Sequence, residues 1–361
     1  MRPRDSRRPP AAACYAAIMP NSQPRLLRAC RRQTVDRTPV WFMRQAGRYM
    51  PSYRARRAQH DLLTLCRRPE LAAEITIEAA ETLGVDGAII FSDLLLPAEP
   101  LGFRLSYSSG EGPAIEPVLR DRAAIAALPE NRGGDLGYIA AAVAKVHAHF
   151  GPRLPVIGFA GAPFTLASYL IEGGPSRNFL ATKRLLYSDF GAWALLMQKL
   201  CPLLVEMLSQ QVAAGAAVIQ LFDSWVGTLS ENDYRHFVLP YNRLVIEAVQ
   251  ALGVPVIYFS TGTGGYLETL NEAGAAVLGL DWRVELDTAW RRLGYSCGLQ
   301  GNLDPARMLA PAEDLRRAVK RLLDQTREHP GYIFNLGHGI LPETDLEQAR
   351  RVVEWVHEDN G

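Results

Sequence analysis

The sequence predicts a single-domain α/β protein, a closed (β/α)8 or TIM barrel with its cleft at the C-terminal ends of the strands. Three observations lead there. Short runs rich in β-branched and aromatic residues alternate with longer segments of helical periodicity, eight such runs can be counted, and unusual polar residues fall at their ends rather than their starts. A length of 361 residues with 48% hydrophobic content allows either two ordinary domains or one large barrel, so the eightfold alternation decides between them.

The chain opens on a leader, 1–33, rich in Arg, Pro and Ala, with almost no acidic residue and no hydrophobic periodicity; it is expected to be disordered, with the barrel occupying 34–361. Its composition suits a transit peptide, but Met19 offers the simpler reading of a later start, and that reading is preferred. The expected strands follow in order: PVWFM (39–43), GAIIFS (87–92), PVIGFAG (155–161), AAVIQLFDS (216–224), PVIYFST (255–261), AVLGLDW (276–282), CGLQGNLD (297–304) and YIFNLGHG (332–339). Each leads into a polar or Gly-rich turn and then a helix with ordinary boundary signals. Gly84 stops the run from Pro69, and Pro311 precedes the run to Gln325.

Composition excludes several function classes. Lys+Arg 39 against Asp+Glu 38 leaves a net charge of +1, which offers no global footprint for nucleic acid or an anionic membrane. The five cysteines are odd in number and contain no C-x-x-C pair, so free thiols in a reducing, cytoplasmic compartment are expected. Apolar runs such as 213–222 fall short of the roughly 18 to 20 residues of a membrane span, so no membrane association is expected.

Candidate site residues come from the strand ends. RQAGRYMPSYRARR (44–57) gathers five arginines, and the guanidinium fork that binds carboxylates bidentately points to an anionic ligand with several carboxylates. Arg44 and Arg48 flank Ala46 and Gly47, where backbone can approach a ligand; Arg54 and Arg56 are expected to be ordinary surface residues. Asp93 follows an apolar strand, where a carboxylate is poorly hydrated, and serves either a ligand or a helix N-cap. Ser224 ends the fourth run without a G-x-S-x-G elbow and is a hydrogen-bonding group rather than a nucleophile. His338 sits between glycines as a donor to a carboxylate, with no second His or Cys at metal-ligand spacing nearby. GAPFTLASYLIEGG is no P-loop, STGTGGY lacks dinucleotide spacing, and no lysine stands in these motifs for a Schiff base. Residues alone therefore reach an anion-binding barrel, expected to use neither metal nor cofactor.

The strings PVWFMRQAGRYMPSYR, FSDLLLP, GAPFTLASYLIEGG, QLFDSWVG, GLDW, GNLDP and FNLGHGI, in this order, closely resemble the characteristic segments of the uroporphyrinogen decarboxylase family over nearly the whole chain after the leader. The resemblance implies a (β/α)8 barrel, commonly a cytoplasmic homodimer, that converts the four acetates of uroporphyrinogen III to methyls, giving coproporphyrinogen III and carbon dioxide in haem and chlorophyll biosynthesis. It implies substrate contacts at Arg44, Gln45, Ala46, Gly47, Arg48, Arg57, Asp93, Tyr169, Ser224 and His338, with Asp93 and Arg44 catalytic; Tyr169 and Arg57 are named only through it. Two alternatives are a cobamide-linked methyltransferase of the same superfamily, whose H-x-C zinc pattern is missing where Gly339 and Ile340 follow His338, and a tetrapyrrole carrier without turnover.

Overall fold

The computed structural model describes residues 23–108, 112–130 and 133–359. Its main sheet is parallel and curled, with helices around it. Its strands are β1 (Ala88–Ile89), β4 (Val156–Gly161), β5 (Ala216–Asp223), β6 (Val256–Ser260), β7 (Val277–Gly279), β8 (Gly298–Leu303) and β9 (Tyr332–Leu336), hydrogen-bonded in that order. Between β1 and β4 lies an antiparallel hairpin, β2 (Arg104–Ser108) and β3 (Gly112–Glu116), which the sequence reading did not foresee.

Seven of the eight expected strands form the ladder; the first, 39–43, does not become a strand. It makes a single parallel bridge, Val40 to Phe334. Phe334 N–H donates to Pro39 O at 2.9 Å, and Asp86 N–H, just before β1, donates to Val40 O at 2.8 Å. The segment thus closes the barrel between β9 and β1 with too few bonds for a ladder. It is held from inside instead. Trp41 Nε1 donates to Gln300 Oε1 at 2.9 Å, and Gln300 Nε2 donates to Gln220 Oε1 at 3.3 Å, a buried polar chain linking the closing segment to β8 and β5.

The helices obey the expected boundaries. Pro69–Leu83 begins with proline, where an N–H is unneeded, and stops at Gly84, whose φ of +69° few side chains tolerate. Ala312–Thr326 starts after Pro311. The order begins earlier than expected: part of the leader, Arg25–Cys30, is a helix that buries Leu26, Ala29 and Cys30, so the boundary at residue 33 is drawn too late. Residues 1–22 lie outside the described residues. Among the described residues one helix, Phe190–Ala213, is long and apolar enough by length and composition to cross a membrane, which the sequence reading did not expect, but over half of its apolar window is buried inside the protein. The cysteines at 30, 66, 201 and 297 are free and buried.

Candidate active site

The loop after 39–43 turns on Arg44, which has φ of +60° although it is not glycine. Its side chain is exposed and lies over Gly339 of the β9 loop. Gln45 points the other way: its amide donates to Gly87 O at 3.2 Å and accepts from Phe42 N–H at 3.3 Å, and the residue is 1% exposed. Only the backbone of Gln45 is left for a ligand, beside the half-buried Ala46 and Gly47. Arg48 is exposed, and its carbonyl accepts from Arg54 Nη1 at 2.8 Å. Arg54 therefore braces the loop, and Arg56 pairs with Glu78, so both serve structure as expected.

The positive charge of Arg44 reaches groups that follow three strands: it favours the ionised forms of Asp93 and Tyr169 and the neutral form of His338, whose neighbour Gly339 its stem lies against. Asp93, after β1, accepts from Leu95 N–H at 2.8 Å. Lost hydration nonetheless raises its carboxyl above the ordinary aspartate range, against the opposing pull of Tyr107, the Leu95 amide and Arg44. Asp93 is thus a local N–H acceptor just before the next helical turn and a poorly hydrated acid.

His338 is pushed down to about 4, chiefly by burial and then by Arg44. It is neutral near pH 7. Its Nδ1 accepts from Gly339 N–H at 2.7 Å, so the ring proton sits on Nε2 and can be donated. Tyr169, on the helix Pro163–Glu172 after β4, packs edge-on against Trp225 with ring centroids 5.8 Å apart; burial raises its phenol. Ser224 follows β5, and its carbonyl accepts from the Thr261 hydroxyl at 2.7 Å. Its neighbour Asp223 is fully buried and bonded to Thr165, Asn242 and Tyr258, so that carboxylate anchors the strand end rather than facing a ligand. Arg57 lies to one side on the helix Pro51–Gln59, donating to His60 O at 2.6 Å beside Tyr53.

Sequence reasoning missed two groups. Tyr107, from the hairpin, approaches Asp93 closely enough for each to shift the other, yet its buried hydroxyl completes no hydrogen bond. A tyrosine in an unforeseen hairpin carries no sequence signal. Arg283, after β7, lies over the Trp282 ring at 4.3 Å, pairs with Asp281 at 2.5 Å and acts on His338; the string GLDW before it was the available cue. Among the described residues no three His, Cys, Asp or Glu side chains converge as a metal site would require.

The cleft therefore presents arginines at its rim, a neutral imidazole donor and one poorly hydrated carboxylate, a set suited to a polyanionic ligand with N–H groups at its centre. A family model described as uroporphyrinogen decarboxylase matches residues 21–359. A uroporphyrinogen decarboxylase of Koribacter versatilis is 54% identical over 340 residues, covering 94% of this chain and 96% of the relative. One of Solibacter usitatus is 51% identical over 334 residues, covering 92% and 97%. Among solved structures, a methyltransferase from Methanosarcina mazei superposes with a TM-score of 0.77 at 19% identity, covering 93% of this chain and 98% of its own, a likeness of fold alone.

Proposed function

The chain belongs to the uroporphyrinogen decarboxylase family, and on that premise we propose how its cleft removes carbon dioxide from the acetate arms of uroporphyrinogen III, leaving methyls and coproporphyrinogen III. The enzyme is a carboxy-lyase acting on a small tetrapyrrole. Protonation of the pyrrole carbon beside an acetate arm makes the ring an electron sink; the bond to the carboxylate then breaks toward the ring and carbon dioxide leaves, a proton added to the exocyclic methylene so formed completes the methyl, and the ring carbon gives back the proton it first received, restoring the pyrrole. The substrate thus supplies the function a cofactor would otherwise perform.

Asp93 is the central group in this reading. Its carboxylate accepts pyrrole N–H groups and stabilises the positive charge that develops on the ring, an interaction strengthened where water is sparse. Arg44 and Arg48, with His338 Nε2–H, hold peripheral carboxylates; Arg57 and Tyr169 line the approach, and the backbone of Gln45, Ala46 and Gly47 comes close to the ligand. Ser224 contributes a hydrogen-bonding hydroxyl. Arg44 also relays the proton, regaining its charge after each transfer because guanidinium is strongly basic.

The placement of Arg44 against Gly339, beside the His338 donor and within electrostatic reach of the poorly hydrated Asp93, carries the proposal. The methyltransferase alternative falls with the family match, because its structural relative shares only the fold. We also propose a cytoplasmic homodimer. Leu180 and Tyr187, seven apart on one helix face, and Phe190 are exposed apolar side chains available for such an interface.

The test is an anaerobic assay with chemically reduced uroporphyrinogen III and no added metal or cofactor, products being oxidised and separated by carboxylate number. Stepwise conversion of octacarboxylate to tetracarboxylate is expected. Asp93→Asn should lower kcat by about 100-fold or more with folding preserved; wild-type turnover by this variant would sink the central-carboxylate role.

A further inference from the structure

We infer that Asn335 is a positioning residue that locks the Arg44 loop to the His338 loop, fixing the direction from which the arginine meets a substrate carboxylate. This rests on the clamp role proposed for Arg44.

Asn335 stands near the end of β9, is fully buried and lies three residues before His338. Its side-chain oxygen accepts two amides, Met43 N–H at 3.1 Å and Leu336 N–H at 2.8 Å. Met43 is the residue before Arg44. The same Met43 is gripped from its other side, since Ile340 N–H donates to Met43 O at 2.9 Å. Two bonds, one from the end of β9 and one from the loop after it, therefore hold both backbone polar groups of Met43, the residue leading into Arg44, and they come from either side of His338.

That grip matters because Arg44 lies in the left-handed region, at φ of +60°. A side-chain-bearing residue stays there only where its surroundings over-determine it. The conformation aims the Arg44 stem across Gly339, where a Cβ would lie 2.4 Å from Arg44 Cδ. Asn335 thus sets the backbone before Arg44, and Gly339 clears the path for its side chain. The amide nitrogen of Asn335 completes no hydrogen bond, so the oxygen carries the assigned role. A residue that merely stabilised the strand end would affect melting but would not act through Arg44.

A double-mutant cycle separates these roles. Asn335→Ala, Arg44→Ala and the double variant are compared with wild type for KM and kcat on uroporphyrinogen III, and for thermal midpoint. We expect Asn335→Ala to raise KM about tenfold in the wild-type background and less than about twofold when Arg44 is already alanine, because the two act as one unit. Asn335→Asp, which keeps the accepting oxygen, should return KM toward wild type. Should Asn335→Ala fail to fold, Asn335→Ser, whose hydroxyl stops short of the Met43 amide, takes its place in the cycle with the same expected non-additivity. Equal factors in the two backgrounds, or a lowered midpoint with unchanged KM, would overturn the positioning role while leaving the clamp intact. An Arg44→Ala variant with wild-type KM would instead overturn the clamp, and the inference with it.

Discussion

Gly339→Ala should disable the cleft while leaving the protein folded. A Cβ at this position would lie 2.4 Å from Arg44 Cδ, 2.8 Å from its Cγ and 2.9 Å from its Nε. Carbon atoms in ordinary contact sit about 3.5 to 4.0 Å apart, so the arginine stem must move by about 1 Å or more. Arg44 is exposed, so the side chain has room to move. Gly339 does not have positive φ, so alanine fits its backbone. The stability change should stay within about 1 kcal/mol, since alanine also restricts the unfolded chain. Catalysis has no such tolerance, because a displacement of about 1 Å at a reacting geometry can cost on the order of 100-fold. We therefore expect kcat/KM for uroporphyrinogen III to fall by about 10- to 100-fold with the urea midpoint nearly unchanged. Gly337→Ala is the contrasting control: its Cβ would meet Trp282 N at 2.6 Å and Asp281 C at 3.1 Å, backbone atoms that cannot swing aside, so stability should suffer first. Wild-type kcat/KM in Gly339→Ala, with Arg44 seen to have shifted, would refute the reasoning.

The remaining predictions concern pH and the far end of the barrel. His338 is held down to about 4, so below pH 6.5 the unfolded chain takes up a proton that the fold refuses. Stability should therefore fall as pH drops from about 6.5 to 4, by at most roughly 3 kcal/mol, and His338→Gln should flatten that dependence in denaturant titrations. Asp93 acts in the opposite sense, because its raised carboxyl favours the fold at low pH and loses that contribution as pH rises. In activity, the acid limb of kcat/KM should lie above the ordinary aspartate range, and a limb at or below that range would contradict a poorly hydrated, ionised Asp93. His357 Nε2 meets Asp86 Oδ2 at 2.6 Å, both side chains being nearly buried, and the same oxygen accepts from Val40 N–H at 3.0 Å. His357→Ala should cost about 1.5 to 3 kcal/mol in urea unfolding with kcat unchanged, and a loss of kcat at preserved stability would contradict a purely structural latch.

The barrel was legible because a parallel strand covered on both faces needs a continuous apolar run, and seven of the eight expected runs are strands. The eighth, PVWFM, has the same composition but only one bridge, because its partners are tied through side chains such as Gln300 and Asp86 that no local pattern reveals. Arg44, Asp93, Ser224 and His338 were readable as polar residues interrupting apolar strand ends. Their orientations were not. Gln45 occupies the same loop as Arg44 yet turns into the core, because its amide can satisfy Phe42 and Gly87 there, and the distinction is tertiary. Tyr107 arrives from a hairpin inserted between β1 and the helix that follows it, and its proximity to Asp93 is set by tertiary packing of that hairpin.

The charge states around Arg44 follow from that proximity. Burial chiefly, and the positive charge of Arg44 after it, disfavour the imidazolium, so His338 is neutral while the more strongly basic guanidinium keeps its proton. Near neutral pH the resting clamp therefore combines a full charge with a directional donor. In the proposed reaction the ligand loses one carboxylate at each step but must be held in the same way for the next. Between proton transfers the charge resides on arginine and does not vary with pH near neutrality, while the Nε2–H of His338 selects orientation without adding attraction that would slow release of the product. His338→Lys would place a second full charge there, and it should slow product dissociation more than it impairs the first decarboxylation, a split that single-turnover and steady-state rates measured on the same protein would resolve.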